Sequence, residues 1–175
     1  MAIRIGRLED SSLIARRLAP CRIVVVASPA YLARQGEPRT PGELTRHDCI
    51  RYMYGEGGEV WHFVGPDGPG SVRVSGQLRT NNGDAMRVAA VKGRAIAALP
   101  SFIVSEELSS GALVPILRDY GVAEMAVHAV YPGGRNPSAK LRSFIDFLVP
   151  RFGENPSWDA WMDTAGGTDA TVAAP

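Results

Sequence analysis

TNNGDAMRVAAVKGRAIAALP, residues 80–100, is the stretch around which the rest of the chain is organised. It reads as the end of a strand, a helix, a tight turn and a second strand. Asn81 or Asn82 supplies a helix cap, Met86, Ala89 and Ala90 recur at i, i+3 and i+4, and Asp84 sets a negative charge against the positive end of the helix dipole. Gly93 stops that helix. Beyond it Ala95, Ile96, Ala97, Ala98 and Leu99 form an unbroken apolar run, the pattern of a strand covered on both faces, and Pro100 with Ser101 opens another helix. The unit is an α/β crossover. Ligands of open α/β sheets sit at the carboxyl ends of strands, beside helix N-termini with free N–H groups, so the corners at Asn81-Asn82 and Pro100-Ser101 are the natural ligand positions. Taken alone, both corners read as ordinary caps, which outnumber ligand sites on any fold.

Composition bounds what surrounds this unit. A chain of 175 residues with 45% hydrophobic content makes one domain, or one small domain and part of another. A net charge of +1 and a pI near 7.8 provide no basic stripe for nucleic acid. Cys21 and Cys49 lack C-x-x-C spacing and read as reduced, buried thiols of a cytoplasmic protein. The N-terminus has no secretory pattern and no stretch reaches membrane-spanning length, so no membrane partner is expected.

Toward the N-terminus, residues 2–5 read as a buried strand ending at Gly6, and residues 7–12 as a polar connection. Residues 13–18 and 22–27 are two strands split by Ala19 and Pro20, the second being the strongest strand signal in the chain. Ser28 and Pro29 cap and start a helix, and Thr40, Pro41 and Glu43 repeat that signal for a single helical turn. Residues 47–52 return as a strand. The glycine-rich loop at residues 54–58 has neither a phosphate-loop lysine nor a strand-GxGxxG-helix order, and reads as a plain turn. A strand at residues 60–64, a long turn at 65–70 and further strands at 72–74 and 77–80 lead into the crossover.

Toward the C-terminus, residues 101–108 are helical with Gly111 as C-cap, residues 113–117 are extended, and residues 125–130 form a second strong strand. Asn136 and Pro137 launch a helix with Leu141, Phe144, Ile145 and Leu148 on one face, which Pro150 is expected to end. From Asn155 the composition is that of a disordered tail, apart from a turn at residues 157–162 that Trp158 and Trp161 dock onto the body.

The sequence holds no G-x-S-x-G elbow, no H-E-x-x-H and no P-C-x-x-C. His47, His62 and His128 stand apart at spacings no metal motif uses, and read as surface or hydrogen-bonded core residues. No catalytic residue, no metal site and no cofactor are expected.

The order of AIRIGRL (residues 2–8), LIARRLAP (13–20), VVASPAYLAR (25–34), RTPGELTRHDCI (39–50), NNGD (81–84), residues 92–100, GALVPIL (111–117), VYP (130–132) and residues 139–148 resembles the effector-binding part of LysR-type transcriptional regulators. The resemblance covers residues 2–152. It implies an α/β fold of the periplasmic-binding-protein type 2, with one complete Rossmann-like subdomain and part of a second. Residues 2–20 then belong to the first subdomain, 21–28 to a crossing strand and 28–124 to the second subdomain. Residues 125–152 supply the other crossing strand and the C-terminal helix of the first, and 153–175 form a disordered tail.

The same resemblance implies a non-catalytic, cytoplasmic, oligomeric sensor of a small, anionic effector. It would contact DNA only through a helix-turn-helix upstream of these residues, so an N-terminally truncated regulator is expected. Alternatives are a free-standing small-molecule binding protein and a non-functional gene fragment. The family cleft, carried onto matching positions, places Arg4 and Gly6 on one wall and Tyr54, Gly55, Asn81 and Asn82 on the other, with Ser28, Pro100 and Ser101 flanking them. One departure is Gly93-Arg94-Ala95-Ile96, where the family has a Gly-Leu-Gly-Ile pattern. Alanine resists the positive φ that a second glycine permits.

Overall fold

The computed structural model describes residues 1–6, 12–53, 58–122, 125–133 and 138–164. Strands β1 (Ala2–Gly6) and β2 (Leu13–Cys21) open the chain, and Arg22 alone separates β2 from β3 (Ile23–Ala27). Helix α1 (Pro29–Gln35) begins where the Ser28 hydroxyl accepts from the Tyr31 N–H at 3.2 Å and Pro29 occupies the first helical position. A 3-10 turn (Pro41–Arg46) leads to β4 (Arg51–Tyr52), the hairpin of β5 (Val60–Gly65) and β6 (Gly68–Arg73), and β7 (Arg79–Thr80). The crossover is α2 (Gly83–Val91), β8 (Ala97–Pro100) and α3 (Ser101–Ser110). Then come β9 (Val114–Pro115), β10 (Gly121–Val122), β11 (Met125–Pro132) and α4 (Ala139–Phe152). A second 3-10 turn (Ser157–Asp159) and α5 (Trp161–Thr164) follow.

Two of the sheets define two lobes. In the smaller, β11 lies between β1 and β2, antiparallel to both. In the larger, β3 runs antiparallel between β8 and β9. That sheet extends through parallel contacts: the Ile50 N–H donates to the Ile96 carbonyl and the Ile96 N–H to the Asp48 carbonyl, both at 2.8 Å, and β4 pairs parallel with β7. The resulting order is β7-β4-β8-β3-β9. The hairpin, with β10 on its other edge, forms a third sheet.

The large sheet is covered on both faces, as the apolar run 95–99 requires. Val25, Ala27 and Ile96 pack with Tyr31, Leu44, Trp61 and Phe63, whereas Val26, Ala97 and Leu99 pack with Met86, Ala90 and Val104 of α2 and α3. Adjacent residues thus enter opposite cores, as a period of two dictates. The small sheet packs Val127, Ala129, Ala19 and Cys21 against Leu148, Val149 and Phe152 of α4.

Several expectations are corrected. Ala19 and Pro20 do not split a strand, since β2 runs through them and Pro20 pairs with Ala126. β2 is an edge strand, so the N–H that proline lacks is not needed by a second neighbour. The turn at 65–70 shrinks to Pro66 and Asp67, because Gly65 already pairs with Gly68 and Pro69, on the edge strand β6, with Val64. Pro150 lies inside α4, two residues before its end. It withholds a donor only in the last turn, where the Arg151 guanidinium donates to the Phe147 carbonyl at 3.1 Å and the Gly153 N–H to the Val149 carbonyl at 3.2 Å. Past residue 152 the chain forms the turn Ser157–Asp159, inside the turn expected at residues 157–162, and then α5 (Trp161–Thr164). Residues 165–175, Asn136 and Pro137 lie outside the described residues.

Candidate functional site

Because β4, β7 and β8 run parallel, their carboxyl ends lie at one end of the large sheet. Two helices start there. Asn82 caps α2, its Oδ1 accepting from the Ala85 N–H at 3.0 Å while its own N–H donates to the Thr80 hydroxyl at 3.2 Å. Pro100 is the cap position of α3, and Ser101 begins that helix fully buried, its N–H donating to the Arg22 carbonyl at 2.8 Å. The Ser101 hydroxyl has no hydrogen-bond partner among the described residues. The two corners abut: a Cβ on Gly83 would fall 2.6 Å from the Ile103 side chain. Arg87 of α2 ties the pair of helices by bonding to Glu107 of α3, with Asp84 3.5 Å away, and the Glu107 hydrogen bond raises the Arg87 pKa further.

The other expected residues divide. Gly6 pairs with Ala126, which pairs in turn with Pro20, so Gly6 lies two strands, roughly 10 Å, from a position two residues short of Arg22. It therefore stands at the junction of the lobes, with Arg4 one pleat farther away and exposed, directly opposite His128. The His128 Nδ1 is buried without a partner among the described residues. Tyr54 and Gly55 lie outside the described residues, although Met53 just before them is bonded to the Thr80 carbonyl at 2.9 Å, at the same sheet end. Asn81 sits between Thr80 and the cap.

Ser28 does not join this group. β3 is antiparallel to β8, with Ile23 opposite Pro100, so the carboxyl end of β3 lies at the far end of the sheet, roughly 17 Å of strand away. There Ser28 faces Gly93, at the exit of α2, and its hydroxyl is spent on capping α1. The family cleft carried onto this sequence places Ser28 beside Pro100 and Ser101, whereas the antiparallel direction of β3 sets it at the opposite end of the sheet.

The site is thus a junction of two helix N-termini, a buried serine hydroxyl and amide side chains, suited to holding negative charge by N–H donors. Burial, with a smaller contribution from Asp159, pushes the Cys21 thiol up to about 11, and burial with Asp48 pushes Cys49 up to about 12, so neither is a thiolate nucleophile near neutral pH. Among the described residues no three His, Cys, Asp or Glu side chains converge on a metal position. No helix among them is long and apolar enough to cross a membrane.

The family description "LysR substrate binding domain" matches residues 1–153. The chain belongs to the LysR substrate-binding domain family. The HTH-type transcriptional regulator CrgA of Neisseria meningitidis serogroup C is 33% identical over 156 residues, which are 89% of this chain and 52% of CrgA. DmlR of Escherichia coli K12, also an HTH-type transcriptional regulator, is 33% identical over 87% of this chain and 50% of its own length. The chain spans about half the length of the curated relatives it matches. Among solved structures, the CrgA regulatory domain superposes with a TM-score of 0.74 at 30% identity, over 86% of this chain and 75% of that domain. The full-length Vibrio cholerae virulence activator AphB gives 0.74 at 27% identity, over 85% of this chain and 50% of its own. The LysR-type fold of this chain is therefore the periplasmic-binding-protein-like type 2 fold.

Sequence reasoning on this LysR-type domain missed two residues. Arg22 is the single residue between the sheets, and its carbonyl holds the start of α3. Asp159, buried near the C-terminus, pairs with the Arg22 guanidinium. An acidic residue flanked by Trp158 and within reach of Trp161 in an otherwise small-residue tail was the available signal.

Proposed function

We propose that this chain is the effector-sensing part of a LysR-type transcriptional regulator, non-catalytic and cytoplasmic, which takes a small anionic metabolite at the junction of its lobes. The parent protein, on this reading, is an oligomer that controls transcription in response to that metabolite. The observation that carries the proposal is the abutment of the α2 and α3 N-termini at the carboxyl end of the large sheet, beside the buried hydroxyl of Ser101. Helix N-termini favour anions, and a site that excludes water strengthens that preference. Asn81, Asn82, Pro100 and Ser101 form one wall of the proposed site. Gly6 forms the other, and Arg4 supplies the compensating charge.

The test is a thermal-shift and calorimetric screen of small mono- and dicarboxylates, with inorganic phosphate as a further probe. At least one anion is expected to raise the melting temperature of the 175-residue chain. Asn82→Ala and Arg4→Ala should each weaken that binding. Unchanged affinity in both variants would falsify the placement.

A further inference from the structure

The turn Ser157–Asp159 touches both lobes beside Arg22, where the chain first passes from the small lobe to the large. Trp158 stands edge-on to Phe102 of α3 in the large lobe, ring centroids 6.2 Å apart, and edge-on to Phe152 of α4 in the small lobe, at 5.8 Å. Asp159, next to it, is buried and bonds the guanidinium of Arg22, the single residue linking β2 to β3. The other carboxylate oxygen of Asp159 has no partner among the described residues, so the Arg22 contact compensates its burial. A buried carboxylate with one partner resists losing that partner, because removal leaves an uncompensated charge. The Arg22 carbonyl in turn accepts from the Ser101 N–H, at the start of α3.

We propose that residues 156–164 are an interlobe clamp: Trp158 wedged between the lobes and Asp159 pinned to the Arg22 hinge fix the angle between the two sheets. Hinges of two-lobed folds are few-residue connections whose backbone absorbs the rotation, and here the hinge side chain is held by a segment far along the sequence. Domain contacts that are small and partly polar otherwise leave relative motion as the default. Holding the angle also sets how Gly6 faces the Ser101 corner. That consequence rests on the effector reading above, whereas the clamp itself does not.

The experiment reads the angle without any ligand. Spin labels are placed on Lys140→Cys in α4 and Glu37→Cys in the large lobe, both exposed positions, while the native thiols stay unlabelled because they are buried. Pulsed dipolar spectroscopy on the full chain is expected to give one narrow distance in the parent and in Trp158→Phe, which keeps an aromatic wedge. Trp158→Ala and Asp159→Asn are expected to lose that narrow distance for a broad distribution while retaining the far-ultraviolet circular dichroism of the parent. Should Trp158→Ala unfold, the isosteric Asp159→Asn still decides. A distribution equally narrow in all folded variants, or already broad in the parent, overturns the clamp. Failure of every anion to bind overturns the effector reading and leaves these distances as they are.

Discussion

Gly93 takes φ +68° at the exit of α2, where a Cβ would sit 3.3 Å from the Ser28 hydroxyl and 3.7 Å from the Tyr31 nitrogen. Gly111 ends α3 at φ +75° with nothing within 4 Å of the same position. The left-handed backbone costs any other residue about 1–2 kcal/mol, and at Gly93 alone a side chain also meets the cap of α1. Gly93→Ala is expected to lose about 2 kcal/mol of stability and Gly111→Ala about 1, measured as shifts of the denaturation midpoint. Equal losses would mean that the Ser28 contact yields. The family's second glycine is not needed here, since Leu117 is the only described non-glycine residue at positive φ and Arg94 and Ala95 follow an ordinary path. The buried thiols add a pH signature. Cys21 and Cys49 titrate from 9.0 when exposed, and are held up to about 11 and about 12 by burial. Above pH 9 the unfolded chain therefore releases protons that the folded chain keeps, and stability falls as pH rises from there toward the folded values. Denaturant titrations at pH 7 and 10 should show that fall, and Cys49→Ala should reduce it. An identical slope in Cys49→Ala would assign the fall to other groups such as Tyr31, whose pKa burial and Cys49 also raise.

At the scale of the element, the crossover was legible because its signals are local. Asn82 caps, Gly93 turns and residues 95–99 alternate between two cores, so composition and period were enough. What was illegible depended on partners distant in sequence. Pro20 is tolerated because β2 has one neighbour among the described strands, and strand edges are a property of the assembled sheet. Ser28 fell outside the site because β3 reverses relative to β8, a pairing that spans more than seventy residues of chain and leaves no mark on either strand. The turn expected at 157–162 forms, but the Arg22–Asp159 pair and the two rings, Phe102 and Phe152, that hold it left no mark in the sequence. Capping and periodicity locate the corners of the site, and topology decides which corners meet.

For the whole molecule, the two lobes differ in how well they are covered. The large lobe buries both faces of its sheet, whereas the small lobe leaves Ile3 47%, Ile5 46% and Ile14 42% exposed. Ile3 is opposite Ala129, and Ile5 opposite Val127, so all four share the sheet face on which α4 packs, and the isoleucines mark where its cover stops. Phe144 and Phe147 of α4 are 48% and 49% exposed and stack on each other 6.4 Å apart, with the Arg151 guanidinium laid over Phe147. Among the described residues β1 also edges its sheet, with no further strand on its outer side. Exposed apolar side chains beside an open edge favour association over a monomeric state. The 175-residue chain is therefore expected to self-associate with rising concentration in sedimentation velocity, through the small lobe. Ile5→Lys combined with Phe144→Lys should shift it toward monomer, since a charge on each surface must be desolvated to dock. Native-state hydrogen exchange should agree, with faster exchange in β1 and α4 than in β3 and β8, because fewer buried contacts hold the small lobe closed. A chain that stays monomeric at all concentrations, with β1 protected as strongly as β3, would show that half-exposed isoleucines and phenylalanines are tolerated here without a covering partner.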